Sequence, residues 1–433
     1  MNKTTVLVLT VVVIITALSI SREIWTATQR REEPPPIVTP TKRTTNVTLG
    51  IITDSAEDKQ KFEFIAKYAL AEINKYAASQ GNLTRFNNIS EHAADIFAIN
   101  AVGDLHRTKN VTIFLGFDIS EAMCASLGYA RSSGVILLGI PEVHHESSAL
   151  PGDEMFRIAP NLREITYATE SLVKRLGGKG ILFINRDRGW GDEIFFNLAE
   201  NRTQISEYPP AYEGLLSVRY SQDTINSTYL VSQAETIIGP LIERYGVNNT
   251  VIVMVGGEEW TSIFRESADA EGLLDVPWVV VELSEDPYAT EGDLPDPIRM
   301  QDLRIDGTRI ISLKRETLLD NEKFEALQAA YVKENPAAEE PLGIKDASFY
   351  DSVWVACLSV LEANATDGKI LRDVIPRAAS RHSGASGRII FDVNGDRSVD
   401  YIFFEATNVG GIISWVNMGS YDALTLQATL GIR

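Results

Sequence analysis

The chain has 433 residues, of which 44% are apolar, and its formal net charge at pH 7 is −19. This length allows two ordinary domains, each with its own hydrophobic core. So large a negative charge argues against binding to nucleic acid or to anionic lipid, because their phosphate groups would repel the protein.

The N-terminus contains a short apolar segment. Lys3 precedes an uncharged run over residues 5–20, which is short for a membrane-spanning helix and typical of a signal peptide. Cleavage near Ser19 would release the chain, whereas an uncleaved segment would remain as an anchor, and the sequence leaves both open. We therefore expect residues 1–21 to be a signal peptide or an N-terminal membrane anchor, with the rest outside the cytoplasm.

A charged and then proline-rich stretch follows over residues 22–46. Such a composition buries little apolar surface, so we expect an extended tether. A tether suits an anchored domain slightly better than a freely secreted one.

Eight Asn-x-Ser/Thr motifs follow the apolar segment, and each is an acceptor pattern for N-glycosylation. They begin at Asn46, Asn82, Asn88, Asn110, Asn201, Asn226, Asn248 and Asn364. Single short motifs arise by chance, but this number favours an extracellular glycoprotein.

The first predicted elements are a strand and a capped helix. An apolar strand is predicted over 47–54, and Ser55 stands three residues before Asp58, as at the start of a capping box. Apolar residues then recur at helical spacing as far as Tyr76, so the helix should end near Gly81.

The same alternation of strand and helix continues along the chain. Further strands with nearly continuous apolar runs are predicted over 111–116, 135–141, 180–185, 250–257 and 277–283. Apolar strands that alternate with helices indicate parallel sheets covered on both faces, so the fold class is α/β.

The C-terminal part changes to strands that alternate apolar and polar residues. Residues 392–396 resemble the start of a calcium loop, but Arg397 and Phe403 occupy the positions that need glycine and glutamate. Asn394 and Gly395 instead favour a β-hairpin between the strands GRIIFDV and SVDYIFFEA, with positive φ at both turn positions.

Several segments together resemble the type I periplasmic-binding-protein family, which includes branched-chain amino-acid binding proteins and the ligand-binding regions of animal receptors. The similarity covers roughly residues 46–433, and the order of the motifs is more specific than any one of them. The segments are LGIITD…LAEIN, LGFDIS, MFRIAPN, INRDRGWGDE, SFYDSVWVACLSVLEA and SGASGRIIFDVNGDRSVDYIFFEATNVGGIISWVNMGSYD.

The resemblance implies two Rossmann-like lobes with parallel sheets, joined by a three-strand hinge, with the ligand in the cleft between the lobes. Lobe 1 would contain about 46–158 and 286–391, and lobe 2 about 160–284 and 393–433. Ligand binding would close the lobes about the hinge.

Ligands of open α/β sheets bind at the carboxyl ends of strands, close to helix N-termini. Ser120 lies at such a place, beside Ile119, and the matching family position contacts the ligand carboxylate. The alternative is that Ser120 only caps its helix. Ser147 and Ser148 follow the next strand, where the family has a second hydroxyl, or they are plain loop serines.

The resemblance also implies ligand contacts from the second lobe. Trp190 matches an aromatic wall residue that packs an apolar group or holds an ammonium, and its alternative role is lobe packing. Glu282 matches an acidic residue that pairs with the ammonium of amino-acid ligands, and the alternative is a solvated carboxylate. Asp187, Gly256 and Glu258 lie at other strand ends and are weaker candidates for ligand contact.

One departure from the family bears on the ligand. Phe117 replaces the proline of the family pattern, and Asp118 adds a carboxylate beside the expected anion pocket. A carboxylate there disfavours a second one, so a cationic or neutral ligand would suit the site better.

A metal site has only weak candidates, His144 and His145, in the segment PEVHHES. Adjacent histidines can bind zinc or copper, but no fixed ligand spacing is present, and a polar loop is the simpler interpretation. Cys124 and Cys357 are expected to be buried thiols, with one disulfide as the alternative.

The sequence therefore predicts a solute-binding or receptor protein without cofactor or catalysis. It would capture a small polar ligand, an amino acid or a related molecule, for a transporter permease of the ABC type or for a sensor partner. No G-x-S-x-G, P-loop, H-E-x-x-H or nucleotide motif is found. The alternative is a surface interaction protein whose ligand cleft has degenerated.

Overall fold

Two β-sheets with helices on both faces make up the described part of the chain. The structure is a computed structural model, and it describes residues 45–53, 55–93, 97–117, 120–141, 152–160, 162–187, 191–192, 194–196, 198–199, 214–221, 225–282, 300–301, 303, 305, 307–315, 321–336, 338, 341–410 and 412–431.

The elements are numbered here in chain order. The strands are β1 (Asn46–Thr53), β2 (Arg85–His92), β3 (Ile113–Gly116), β4 (Ile136–Gly139), β5 (Met155–Pro160), β6 (Gly180–Arg186), β7 (Gly214–Tyr220), β8 (Thr250–Gly256), β9 (Trp278–Glu282), β10 (Ile310–Arg315), β11 (Ser383–Gly384), β12 (Gly387–Arg388), β13 (Ile390–Phe391), β14 (Asp396–Ser398), β15 (Tyr401–Val409), β16 (Ile412–Asp422) and β17 (Gln427–Leu430). The α-helices are α1 (Ala56–Ser79), α2 (Ala98–Lys109), α3 (Ser120–Ser133), α4 (Leu162–Arg175), α5 (Ser227–Tyr245), α6 (Trp260–Glu266), α7 (Glu322–Glu334), α8 (Ile344–Ala363) and α9 (Gly368–Ser380).

The first sheet has the strand order β13-β14-β5-β4-β3-β1-β2. Its strands are parallel except β13, which pairs antiparallel with β14. Helices α1, α7, α8 and α9 contribute to the hydrophobic core on one face, and α2 and α3 to the core on the other. Phe62 and Phe349 stack at 4.2 Å between α1 and α8.

The second sheet has the order β17-β16-β15-β10-β9-β8-β6-β7. Strands β6 to β10 are parallel, and β15 to β17 form an antiparallel extension. Helices α5 and α6 cover one face and α4 covers the other. Two largely parallel α/β layers confirm the predicted fold class.

Followed along its described strands, the chain passes between the sheets three times, after β5, after β10 and after β14. The position of β10 differs from the sequence-based division, which assigned 286–391 to lobe 1. Ile310 pairs with Trp278 of β9, so the second crossing comes after Arg315. The third crossing lies between Ser398 and Tyr401, later than the expected boundary at 391–393, because β14 pairs with β5.

The predicted hairpin is confirmed, but its second strand and its turn differ from the prediction. Strand β14 is the partner of β13, whereas β15 pairs with β10 and β16 in the other sheet. Gly395 has a φ of 80°, and Asn394 is not among the described residues with positive φ. The Gly395 N–H donates to the Asp392 carbonyl at 3.2 Å, and Asp392 Oδ1 accepts the N–H groups of Asn394 and Asp396.

Buried charges join the third crossing to the first. Arg157 of β5 and Asp396 of β14 form an ion pair with side chains only 1% and 2% exposed, and Arg157 Nε lies 2.5 Å from Asp396 Oδ1. Arg397 is fully buried and donates to the Ile158, Ser386 and Arg388 carbonyls. The segments MFRIAPN and FDVNGDR, which carry the resemblance, thus meet at the crossing.

Three local predictions are tested by the fold. Ser55 is the N-cap of α1, and its Oγ accepts from the Asp58 N–H at 2.9 Å, as predicted. Cys124 and Cys357 are both free of disulfides, and Cys357 is buried whereas Cys124 is partly exposed. Within the described ranges, no helix has the length and apolar character needed to cross a membrane; residues 1–44 lie outside those ranges.

Candidate functional site

The carboxyl ends of the parallel strands in the second sheet bring several polar residues to one edge. Glu282 ends β9 and is in register with Gly256, which ends β8. Asp187 directly follows β6 and is half-buried, and Glu258 is exposed beyond β8. The structure therefore brings Asp187, Gly256, Glu258 and Glu282 to a shared edge, as their positions at strand ends predict.

An ion pair between two side chains, which also hydrogen-bonds to a tyrosine side chain, lies at this edge. Arg186, the last residue of β6, donates from Nε to Glu259 Oε1 at 2.5 Å and from Nη2 to Glu259 Oε2 at 2.7 Å. Tyr220 ends β7, and its hydroxyl donates to Glu259 Oε1 at 2.5 Å. The Gly257 N–H donates to the same oxygen at 3.0 Å. This bidentate geometry fixes both planar groups.

These contacts shift the pKa values of the cluster. Burial by itself raises the pKa of Glu259, but hydrogen bonds from Arg186 and Tyr220 outweigh it and hold that pKa below its usual value. Burial, and then the charge of Glu259, raise the pKa of Tyr220. The cluster therefore presents an ionised carboxylate and a neutral phenol.

Two glycines make room for the cluster. A Cβ on Gly256 would lie 2.2 Å from the Tyr220 hydroxyl and 2.7 Å from Glu259 Oε1. A Cβ on Gly257 would lie 2.3 Å from Arg186 Nη2. Real Cβ atoms essentially never approach other atoms this closely. The side chains of Arg186, Tyr220 and Glu259 can therefore pack at the end of β8 only because residues 256 and 257 are glycines.

A second group of polar contacts lies beside the first. Asn185 Nδ2 donates to Asp192 Oδ1 at 2.9 Å, and Arg219 Nε donates to the same oxygen at 2.9 Å. Arg186 and Arg219 are thus each matched by a carboxylate, from Glu259 and Asp192. Asp187, Glu258 and Glu282 add acidic residues at this edge, and Lys314 and Arg315 at the end of β10 add basic ones.

The corresponding edge of the first sheet contains the turn after β3. Gly116 has a φ of 92° and Phe117 a φ of 54°, and the Phe117 N–H donates to the Ile52 carbonyl at 2.9 Å. Proline is locked near −65°, so it cannot adopt this conformation at position 117. The departure from the family pattern therefore has a backbone cause. Ser120 begins α3 just beyond this turn.

Two largely buried ion pairs join the N-termini of α1 and α8. Lys61 Nζ lies 4.0 Å from Asp346 Oδ2, and Lys345 Nζ lies 3.5 Å from Asp58 Oδ1. Burial raises the pKa of Asp346, and the Lys61 charge opposes that rise. Each ion pair therefore links α1 to α8.

Several predicted site residues lie outside the described residues. They are Asp118, Ile119, His144, His145, Ser147, Ser148 and Trp190. Of the remaining candidates, Ser120 and Glu282 are placed by their backbone only. Among the described residues, no group of three or more His, Cys, Asp or Glu side chains could hold a metal ion.

Sequence reasoning missed the cluster of Arg186, Tyr220 and Glu259. The available signals were the charged residue that ends β6 and the Gly256-Gly257 pair directly before two glutamates. Neither signal indicates that Arg186 pairs with Glu259, because the two residues are 73 positions apart in the chain.

Comparisons with known proteins identify the fold. No family model matches the sequence, and no curated protein matches it. An ABC transporter substrate-binding protein from Desulfitobacterium hafniense in complex with Leu has a TM-score of 0.56 and 14% identity, covering 86% of this chain and 100% of that one. A second structure of such a protein from the same organism has a TM-score of 0.58 and 13% identity, with the same coverage.

An ABC-type branched-chain amino acid transporter from Rhodopseudomonas palustris gives a TM-score of 0.59 at 14% identity, covering 89% of this chain and 99% of that one. At such identities the likeness shows the fold alone. It agrees with the two largely parallel sheets of this chain. The chain has the type I periplasmic-binding-protein fold.

Proposed function

We propose that the protein is an extracytoplasmic solute-binding protein that captures a small polar ligand between its two lobes. The observation that carries this proposal is the fold itself, in which the carboxyl ends of two parallel sheets bear polar residues and the chain crosses between the sheets three times. Such strand ends are where open α/β sheets bind ligands. One protein of this fold is in complex with Leu.

The ligand-contacting residues of this proposal come from both lobes. Ser120 and Ile119 follow β3, Ser147 and Ser148 follow β4, and Trp190 precedes the helical residues that begin at 191. Glu282 adds a carboxylate at the second-sheet edge, where it can pair with an ammonium group. The proposed ligand therefore carries an ammonium group, as an amino acid or an amine does.

The biological setting is also part of the proposal. The apolar run at 5–20 would direct the chain across a membrane, as a cleaved signal peptide or as an anchor. The bound solute would then pass to a transporter permease or to a sensor protein. The role is binding rather than catalysis.

The test is a thermal-shift screen of residues 45–433 against amino acids, amides, polyamines, short peptides and divalent metals. A ligand at one hundred times its dissociation constant adds about 2.7 kcal/mol to the free energy of unfolding. We expect a stabilising ligand whose effect is lost in Trp190→Ala and in Ser120→Ala. Ser132→Ala, an exposed position in the same helix, is the matched control and should keep the effect.

Other outcomes favour other functions. Stabilisation by metals alone, lost when His144 and His145 are replaced, would move the site to that segment. A screen without any stabilising solute would favour a surface interaction protein with a degenerate cleft. The eight glycosylation motifs and the carboxylate of Asp118 beside the expected anion pocket support this second candidate.

A further inference from the structure

Four Asn-x-Ser/Thr motifs lie at the amino ends of the parallel strands. Asn46 is the first residue of β1, Asn110 stands three residues before β3, and Asn248 stands two residues before β8. Asn364 follows the last residue of α8. All four asparagines are exposed, so an enzyme or a glycan can reach them in the folded protein.

Packing places Asn364 at the same edge as Asn110. Gly368, four residues beyond Asn364, packs so closely on the residues before β4 that a Cβ on it would lie 2.0 Å from the Gly134 carbonyl oxygen. Gly134 stands two residues before β4, which is parallel to β3. The end of α8 therefore lies at the amino edge of the first sheet.

The local geometry leaves the acceptor nitrogens available. Asn110 and Asn364 are helix C-caps with φ of 57° and 50°, a left-handed conformation that asparagine tolerates. Within the described residues, neither side chain makes a hydrogen bond. By contrast, Asn74 and Asn321, which belong to no glycosylation motif, donate from Nδ2 to backbone carbonyls. Asn110 and Asn364 thus differ from these two in that their side chains make no hydrogen bond within the described part of the chain.

We propose that N-linked glycans attach to Asn46, Asn110, Asn248 and Asn364, so that the amino edges of both sheets are covered and the carboxyl edges stay open. This inference rests on the proposed extracytoplasmic location, where glycan transfer takes place. In the reaction, Asn Nδ2 forms a bond to the anomeric carbon of the glycan, and the bond from that carbon to the phosphate of a lipid-linked donor breaks. The lipid phosphate is the leaving group, and the amide proton passes to a base.

The arrangement suits a solute-binding protein. Ser120 and Glu282 lie at the opposite, carboxyl edges of their sheets, so glycans at the amino edges do not obstruct ligand entry. The remaining motifs are less favourable or lie elsewhere. Asn82 and Asn88 are half-buried, Asn226 caps the N-terminus of α5 near the carboxyl end of β7, and Asn201 lies outside the described residues.

The test is intact-glycopeptide mass spectrometry on the full chain purified from its native cells. We expect most of the modified asparagines to be among the four at the amino edges. Absence of glycan from all four would overturn the proposal, as would a majority of glycans on Asn82, Asn88, Asn201 and Asn226.

Matched variants test a single site. Thr366→Val removes the hydroxyl of the Asn364 motif while leaving the asparagine in place, and it should remove the mass of one glycan. Asn87→Gln changes an exposed asparagine that belongs to no motif, and the glycan mass should be unchanged. If Thr366→Val does not fold, the wild-type glycopeptide map still decides the question.

A parallel experiment separates this inference from the proposed location. Intact cells are treated with an amine-reactive biotin that does not cross membranes, and labelling of the chain is measured. A labelled chain without glycans would refute the glycan inference and leave the location standing. An unlabelled and unglycosylated chain would refute both.

Discussion

The crossing between the sheets and the edge of the second sheet contain similar charged pairs in different surroundings. At the crossing, the side chains of Arg157 and Asp396 are 1% and 2% exposed. At the edge, those of Arg186 and Glu259 are 17% and 10% exposed, and Tyr220 shares the carboxylate. Water cannot replace a lost partner at the crossing, whereas it can at the edge.

The charged residues of the motifs that carry the resemblance differ in burial. MFRIAPN and FDVNGDR supply charges that hold the crossing strands together, so their value is structural. INRDRGWGDE supplies Arg186 and Asp187 at a partly exposed edge of the second sheet. Burial, rather than residue type, distinguishes the two ion pairs.

The largest expected effect is at the crossing. Asp396→Ala removes one partner of a buried ion pair, so the free energy of unfolding should fall by about 3–5 kcal/mol. Urea denaturation measures this change. The control is Asp104→Ala, whose exposed pair with Arg107 should contribute less than about 1 kcal/mol. Equal losses in both variants would contradict the comparison.

The pH dependence of stability should come from Glu164, which is 4% exposed at the start of α4. Burial, and then the charge of Asp392, raise the pKa of Glu164 to about 8. The folded state therefore holds a proton that the unfolded state releases near pH 4.5, so the stability contributed by this group is lost as pH rises towards 8.

Urea denaturation between pH 5 and 9 measures this effect. We expect the wild type to lose about 2–4 kcal/mol over the range and Glu164→Gln to lose much less. Glu63→Gln, at an exposed position of α1, should keep the wild-type slope. An unchanged slope in Glu164→Gln would show that another group titrates.

A smaller effect is expected at the second-sheet edge. Glu259→Gln removes the charge that Arg186 and Tyr220 bind, at a cost of about 1–3 kcal/mol. The pKa of Tyr220 should fall but stay above its ordinary value, because burial remains. Ultraviolet titration of tyrosine measures this change. Glu258→Gln is the control and should leave the pKa of Tyr220 unchanged. A similar fall of that pKa in the control would show that the charge of Glu259 does not set it.

The smallest effect tests the glycine at the end of β8. Gly256→Ala forces the Tyr220 hydroxyl and Glu259 to move, and since both are side-chain atoms the loss should be about 1 kcal/mol. Gly128→Ala, at a position in α3 with nothing within 4 Å of the added carbon, should instead gain about 0.5–1 kcal/mol. Thermal unfolding of both variants gives the sign of each change, and stabilisation by Gly256→Ala would contradict the close packing.

Part of the molecule is determined by short-range sequence. Apolar runs of four to seven residues predict β3, β4, β6, β8 and β9, because parallel strands are buried on both faces. Ser55 caps α1, since its hydroxyl reaches an N–H three residues away. Gly395 marks a turn, because it readily adopts positive φ. The order of strands and helices then places Glu282 and Gly256 at one sheet edge.

Tertiary structure alone decided the rest. It assigned β10 to the second sheet and β14 to the first, because pairing depends on neighbours far along the chain. It joined Arg157 to Asp396 across 239 residues and Arg186 to Glu259 across 73. The residues next to each of these side chains in the sequence do not indicate its distant partner. Burial and long-range contact, which set the strength of each ion pair, exist only once the sheets have formed.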